Sequence, residues 1–257
     1  MAKKQFQDYG REWLDTLVVA ISVAMAFRAY FFEPFNIPTG SMQETLWGNH
    51  AVEKVEKSSW DKWPLSYLKW AWSGAKYVEC TSDMAGMVTV RGRNDGYADV
   101  RVGRSNKSWK LPTEVASRLS GKFVEKGETF WKGDVIKGDF IFVNRWRWNF
   151  LKPKTGEVMI FSTTGIEGLP KGIHYIKRMK AAPGETYVLE HPPRDRSGEE
   201  INSLPKVVTM GKDEYFACGD NFNNSYDSRY WGTVPGRNLI GVGSVVFWPF
   251  SGWRIIR

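Results

Sequence analysis

The strongest pattern along the chain is an apolar run near its start, "WLDTLVVAISVAMAFRAYFF" from Trp13 to Phe32, in which Thr16 to Phe27 carries no charge. A membrane-crossing helix needs about 20 mostly apolar residues. The run therefore predicts one over 13–32, with Asp15 and Arg28 near its ends and Arg28 able to snorkel to an interface. Lys3, Lys4 and Arg11 precede it, and the next basic residue after Arg28 is Lys54. That asymmetry predicts a cytoplasmic segment 1–12 and an exported body. The same run has the length of a signal-peptide core, and Ala24-Met25-Ala26 is a small-x-small pattern, so a leader cleaved after Ala26 is the competing reading. Tyr30-Phe31-Phe32 extends the segment with an aromatic end, which favours an anchor.

Beyond residue 32 the period changes. Short apolar or alternating runs recur between turn residues: "MVTV", "YADVRV", "DFIFVNRW", "EVMIFS", "HYIKRM", "TYVLE", "KVVTM", "EYFACGD" and "GVGSVVFWPF". Their β-branched and aromatic content, bounded by Gly, Pro, Asn and Asp, predicts a mainly β fold built on antiparallel sheet. Asn94-Asp95-Gly96 between two such runs predicts a hairpin. "SSWDKWPLSYLKWAWSG", Ser58 to Gly74, places Leu65, Leu68 and Trp72 on one helical face behind Pro64. Such a helix suits either packing on the core or lying on a lipid surface. No second apolar run of spanning length follows, so the expected class is mainly β: an antiparallel β-sheet domain tethered by one N-terminal transmembrane helix.

Composition narrows the partners. A net charge of +8 with 36 Lys+Arg would suit nucleic acid, but the basic residues are scattered and no zinc-finger or RNP-like motif accompanies them. Nucleic acid is not expected. Thirteen Trp and fifteen Phe suit a membrane boundary as well as a core. Two cysteines, Cys80 and Cys218, make no disulfide framework or ligand pair, and His50, His174 and His191 stand far apart, so no metal site is expected. The sequence carries no signal for an oligomeric state.

G-x-S-x-G, H-E-x-x-H and Walker-type patterns are all missing, which disfavours a Ser-His-Asp hydrolase. A serine nucleophile would then need a lysine as base, an attested variant of the triad. Such a lysine must have its pKa lowered by roughly 2 to 3 units, about 3 to 4 kcal/mol, and so needs apolar company. Lys177 in "HYIKRMKAAPGE" fits that need: in a strand it shares a face with Tyr175 and Met179, while Ile176 and Arg178 point away. Ser41 lies in "FNIPTGSMQETL", a Gly-containing turn of a kind that is common without any chemistry.

Three segments in order change the weight of these residues. "FNIPTGSMQETL" (35–46), "GDFIFVNRW" (138–146) with "HYIKRMKAAPGE" (174–185), and "GDNFNNSYDSRYWGTVP" (219–235) together resemble bacterial type I signal peptidase, the membrane-anchored Ser-Lys endopeptidase family. The resemblance implies Ser41 as nucleophile and Lys177 as general base, with Thr39 joining the backbone N–H of Ser41 in an oxyanion hole. It implies Ser225 as the hydroxyl orienting the lysine, and Asp227 with Arg229 as an ion pair beside the site. Gly219, Asp220 and Asn221 would be turn-formers, the last two bonding nearby backbone. Ile37, Pro38, Tyr175 and Ile176 would wall shallow pockets for small side chains. The implied activity is removal of signal peptides from exported preproteins after Ala-x-Ala-like sites, at the bacterial inner membrane, with no metal or organic cofactor. The alternatives are an inactive membrane-anchored relative that binds exported proteins, and a secreted basic domain.

Several positions depart from the family pattern. Glu44 stands where proline is usual, Phe222 where a basic residue is common, and Met179-Lys180-Ala181-Ala182 is more polar and smaller than usual. The largest departure is 47–137, an insertion of unknown role between the serine motif and the Gly-Asp-led strand. Residues 33–46 and 138–257 are then expected to form the peptidase domain, with 184–215 reduced to a hairpin.

Overall fold

The computed structural model describes residues 2–195, 197–201 and 205–257, with the side chains of residues 2–10, 27 and 29 outside that set. Helix α1 (Ala2–Tyr30) runs into strand β1 (Phe32–Asn36). From Arg11 to Met25 its described residues are exposed, among them Leu17, Val18, Val19 and Val23. Phe32 belongs to the strand, so the helix ends before the predicted limit. Among the described residues no helix is long and apolar enough to cross a membrane. The expected span over 13–32 has no support in that respect, and it includes positions 27 and 29, whose side chains lie outside the described set.

Residues 47–137 fold around a core of their own. β2 (His50–Glu53), α2 (Leu65–Ser73) and β3 (Ala75–Thr81) come first. A meander follows: β4 (Gly86–Gly92), β5 (Tyr97–Val102), β6 (Trp109–Pro112), α3 (Thr113–Leu119), β7 (Phe123–Val124) and β8 (Thr129–Ile136). β2-β8-β3 form one sheet and β6-β5-β4-β7 another. Cys80, Val88, Val100, Leu111, Phe130 and Trp131 pack between them. The predicted hairpin is β4–β5, with Gly96 at φ +76°, a conformation that glycine adopts without a Cβ penalty. Helix α2 matches its predicted pattern but has no buried residue. Its Trp70 ring leans on the body, 5.2 Å from the ring of Trp248.

The rest of the chain forms the main sheet. Its strands are β9 (Phe140–Asn144), followed by α4 (Arg147–Phe150), β10 (Val158–Ser162) and β11 (His174–Ala181). β12 (Thr186–Val188) and β13 (Val207–Thr209) pair only with each other, the hairpin expected in 184–215. β14 (Glu214–Cys218), α5 (Ser228–Trp231), β15 (Val234–Pro235), β16 (Leu239–Trp248) and β17 (Arg254–Ile255) complete the fold. The order is β1-β9-β16-β10-β11-β14-β15, with β17 on β16, and every pairing is antiparallel. The mainly β, antiparallel expectation holds. The order lays β11 near the middle, where side chains on both faces are covered, and leaves β1 at an edge.

Asp61 fastens α2 to the sheet below. Its buried carboxylate accepts from Lys54 at 2.6 Å and Lys69 at 2.5 Å, and Lys69 reaches Asp134 of β8 at 2.6 Å. Removing one member of a buried ionic group leaves the others uncompensated, at a cost of about 3 kcal/mol. Asp61→Ala is therefore expected to destabilise 47–137 by that order, read as faster amide exchange in α2 and β8.

Candidate active site

The chain leaves β1 because Pro38 has no N–H to continue a ladder. Ile37 still donates to the Asp139 carbonyl at 2.8 Å; Thr39 is extended, and Gly40–Met42 closes a single 3-10 turn. Met42 and Leu46 are buried against Ile37, Ile141, Ile160 and Val246, which pins the turn from below. Ser41, between Gly40 and Met42, stays half-buried. It lies in the first turn, where backbone N–H groups have no acceptor within the helix. Thr39 is exposed, and its side chain makes no capping hydrogen bond.

Lys177 comes from β11, opposite Met159 of β10. The strand alternation buries it at 4% exposure together with Met179, as its face predicted. Its Nζ lies 2.8 Å from Ser41 Oγ, joining residues 136 positions apart. As an ammonium it donates to the hydroxyl; as a free amine it can accept the hydroxyl proton. Burial brings its pKa from 10.5 down to about 8; the Asp227 carboxylate opposes that fall and the Arg229 guanidinium assists it.

The 219–229 segment holds the turn from its carbonyl side. Asn221 donates its backbone N–H to the Ser41 carbonyl at 3.1 Å and its Nδ2 to the Gly40 carbonyl at 3.2 Å. A Cβ at Gly219 would fall 2.2 Å from Ser225 Oγ and 2.4 Å from the Ser41 carbonyl oxygen, so only glycine passes there. Asp227 and Arg229 form a buried two-pronged pair at 2.8 and 2.9 Å, and Asp227 also accepts from the Gly219 N–H.

Two placements differ from expectation. Ser225 is buried beside Gly219, but its hydroxyl has no hydrogen-bond partner among the described residues, so the expected bond to the lysine is absent. Asp220 does not bond backbone: it takes the Arg178 guanidinium at 2.7 and 2.8 Å, and Arg178 also reaches Thr45 Oγ1 at 3.0 Å. Sequence reasoning gave Arg178 no role. Its only signal was the alternation that set it opposite Lys177.

Tyr175 and Ile176 are half-buried on the front half of β11, paired to β10. β14 pairs with β11 only over Arg178 to Ala181, so among the described residues no strand covers the other edge of His174 to Lys177. The ring of Phe35 lies 5.5 Å from that of His174, which sets the end of β1, buried Ile37 and half-buried Pro38 beside this edge. Glu44 and Phe222, two of the departures, line one open cavity of about 870 Å³ with Trp47 and His191.

A family model described as signal peptidase, peptidase S26, matches residues 10–63 and 188–248. Ser41 lies in the first stretch and Ser225, Asp227 and Arg229 in the second; Lys177 falls between them. The chain is similar to a probable signal peptidase I-1 of Synechocystis sp., 31% identical over 130 residues, 46% of this chain and 66% of that one. It is 32% identical over 129 residues to a signal peptidase I of Leptolyngbya laminosa, 44% of this chain and 62% of that one. With signal peptidase I P of Bacillus subtilis subsp. natto it shares 27% identity over 160 residues, 54% of this chain and 83% of that one. The match thus spans less than two thirds of the length of the first two relatives. The serine turn and the 219–235 loop both lie inside matched residues, so the similarity to type I signal peptidases extends to the stretches that hold Ser41, Ser225, Asp227 and Arg229.

Proposed function

We propose that this chain is a signal peptidase, a membrane-bound serine endopeptidase that removes signal peptides from exported preproteins after small-x-small sites. The observation that carries the reading is the 2.8 Å contact between Ser41 Oγ and a buried Lys177 whose pKa is brought down to about 8. An amine near neutrality at working pH is what a general base requires.

The substrate would lie extended between the end of β1 and the uncovered edge of β11, adding a strand by main-chain hydrogen bonds. Ile37, Pro38, Tyr175 and Ile176 would limit the adjoining pockets to small side chains, since larger ones overpack. Neutral Lys177 takes the Ser41 proton as Oγ bonds to the carbonyl carbon. The oxyanion faces the Ser41 N–H and the Thr39 hydroxyl, donors worth about 3 to 4 kcal/mol each in studied hydrolases. Lys177 then gives its proton to the leaving amine, which departs as the mature protein. Water, deprotonated by the Lys177 amine, attacks the acyl-enzyme and releases the signal peptide, and the proton returns to Ser41 Oγ. Ser225, buried beside Gly219 where that loop meets the Ser41 carbonyl, would orient the lysine through the position of the loop.

Residues 33–46 and 138–257 would be the exported peptidase domain, with 1–12 cytoplasmic and the helix from 13 to 30 the anchor in the bacterial inner membrane. Exposure of Leu14, Leu17, Val18, Val19, Ile21, Val23 and Met25 along α1 supports a lipid environment for those side chains, because a large exposed apolar patch marks a contact surface for membrane or protein. Uncovered aromatic side chains, Trp63 just before α2 and Trp72 within it, 79% and 63% exposed, support lipid as a partner of the body as well.

Incubating the detergent-solubilised protein with a preprotein bearing an Ala-x-Ala site should give one cut after the second alanine, located by mass spectrometry. Ser41→Ala and Lys177→Ala should each lose at least about a thousandfold in kcat; cleavage by either at the wild-type rate would sink the Ser-Lys assignment. The rate should rise with pH through a midpoint near 8, because the ammonium present below it cannot accept a proton. Stability carries the matching sign. Between about 8 and 10.5 the unfolded chain binds a proton that the native site refuses, so stability rises with pH across that window. Below it the full penalty, about 3 kcal/mol, is present. Lys177→Met should thus be inactive yet more stable at pH 7 by up to that amount, measured by urea unfolding.

A further inference from the structure

The 47–137 insertion meets the serine turn through backbone, at Gly48, where a Cβ would fall 2.2 Å from the Thr39 carbonyl carbon, and at a hairpin tip. Gly96, at the tip of the β4–β5 hairpin, lies so close to the segment before Ser41 that a Cβ there would sit 2.0 Å from the Pro38 carbonyl oxygen. Asn49, the residue just before β2, donates its own N–H to that same carbonyl at 3.2 Å. Its side chain works in two directions: Nδ2 donates to the Asp95 carbonyl at 2.9 Å, and Oδ1 accepts from the Gly138 N–H at 2.9 Å. Gly138 in turn presses on the neighbouring carbonyl, with a Cβ there falling 2.0 Å from the Ile37 oxygen. One residue therefore links three places: its side-chain amide joins the insertion's hairpin tip to the entry to β9, and its backbone N–H holds the carbonyl of Pro38.

We propose that 47–137 is a brace for the nucleophile, with Asn49 as its positioning residue. Ile37 is held on one side by buried Met42 and Leu46 of the turn's underside, and Pro38 on the other by Asn49 and the Asp95–Gly96 tip. Fixing their peptide planes fixes the direction in which the chain enters Thr39, Gly40 and Ser41. It also fixes the two residues that would wall the substrate cleft. Among the described residues Asn49 makes no hydrogen bond to Lys177 or Ser41, so it would act on the aim of the hydroxyl and leave the amine's pKa alone. The geometry needs Asn at 49, because both a donor and an acceptor are used, and a residue without a Cβ at 96 and 138. In its catalytic readout this inference rests on the Ser-Lys peptidase reading; in its structural readout it does not.

The test compares wild type, Asn49→Ala and Asn49→Asp as full chains in detergent. A misplacement of about 1 Å remote from the chemistry can cost about a hundredfold in rate. Asn49→Ala should lower kcat on an Ala-x-Ala peptide by roughly ten- to a hundredfold. Its pH midpoint should match wild type, and amide exchange in residues 37–42 should quicken at least tenfold. Asn49→Asp, which keeps the acceptor for Gly138 but loses the donor to Asp95, should fall between the two, and it decides the matter if the alanine variant does not fold. An unchanged kcat, or faster exchange confined to residues 94–97, overturns the brace. If wild type itself fails to cleave, the peptidase reading falls, and exchange in residues 37–42 alone then supports or overturns the brace.

Discussion

An amine held out of water beside a hydroxyl is the constraint around which the fold is arranged. Burial alone would favour a neutral Lys177, but Asp227 lies near enough to pull the other way. Arg229 resolves the conflict by taking that carboxylate in a two-pronged buried pair, which spends the negative charge on a guanidinium. The same carboxylate accepts the Gly219 N–H, and Arg229 donates to the Phe222 carbonyl. The ion pair thus sets the loop's shape while it limits the field at the lysine. A pair this deep adds little net stability of its own, because desolvation offsets its attraction. What it contributes here is local: a neutralised carboxylate and a loop fixed against the serine turn.

The turn is equally dependent on distant parts. Asp139 accepts from the Trp47 N–H at 2.8 Å and from Arg254 at 2.6 Å, and Arg254 also donates to the Thr45 carbonyl at 2.7 Å. Arg178 ties Thr45 to Asp220 and reaches the Arg257 carbonyl. β1, the head of β9, β11, the 219–229 loop and the C-terminal strand therefore all meet at Ser41 to Leu46. Because these partners are far apart in sequence, the hydroxyl and the amine meet only once the main sheet has assembled.

How much of this was legible depended on whether the cause was local. The strands announced themselves by β-branched and aromatic runs, and alternation alone placed Lys177 with Tyr175 and Met179 on the face that proved buried. Asn94-Asp95-Gly96 declared its hairpin through turn chemistry. What stayed hidden depended on register. Asp220 meets Arg178 because β11 and β14 pair with Arg178 opposite Cys218, a fact that no window of sequence contains. Ser225 lacks its expected bond because the loop presses its hydroxyl against Gly219. Asn49 reads as an ordinary loop residue, since its three partners lie in three different parts of the chain. The end of α1 was misplaced because Phe32 is apolar enough for either element, and pairing with Asn144 decided it.

The helix α2 raises a separate question of cause. It buries none of its residues, yet four charged groups, Lys54, Asp61, Lys69 and Asp134, one of them with its side chain buried, fasten it to β8. Stability is a poor reason for such an arrangement, because an apolar contact of the same size would serve better. Orientation is a sufficient one: Asp61 and Asp134 grip Lys69 from two sides, and the indole N–H of Trp248 donates to the Ala71 carbonyl at 2.9 Å. With the helix fixed at both points, Trp63, Tyr67 and Trp72 face outward near the aromatic side of the main sheet, where Trp248 meets Phe140 and Phe142 stacks on Phe247. Phe32, at the foot of α1, leans on Phe142. The aromatic band therefore begins where the N-terminal helix enters the body and ends at α2, so the ionic cluster extends a surface that the first strand starts.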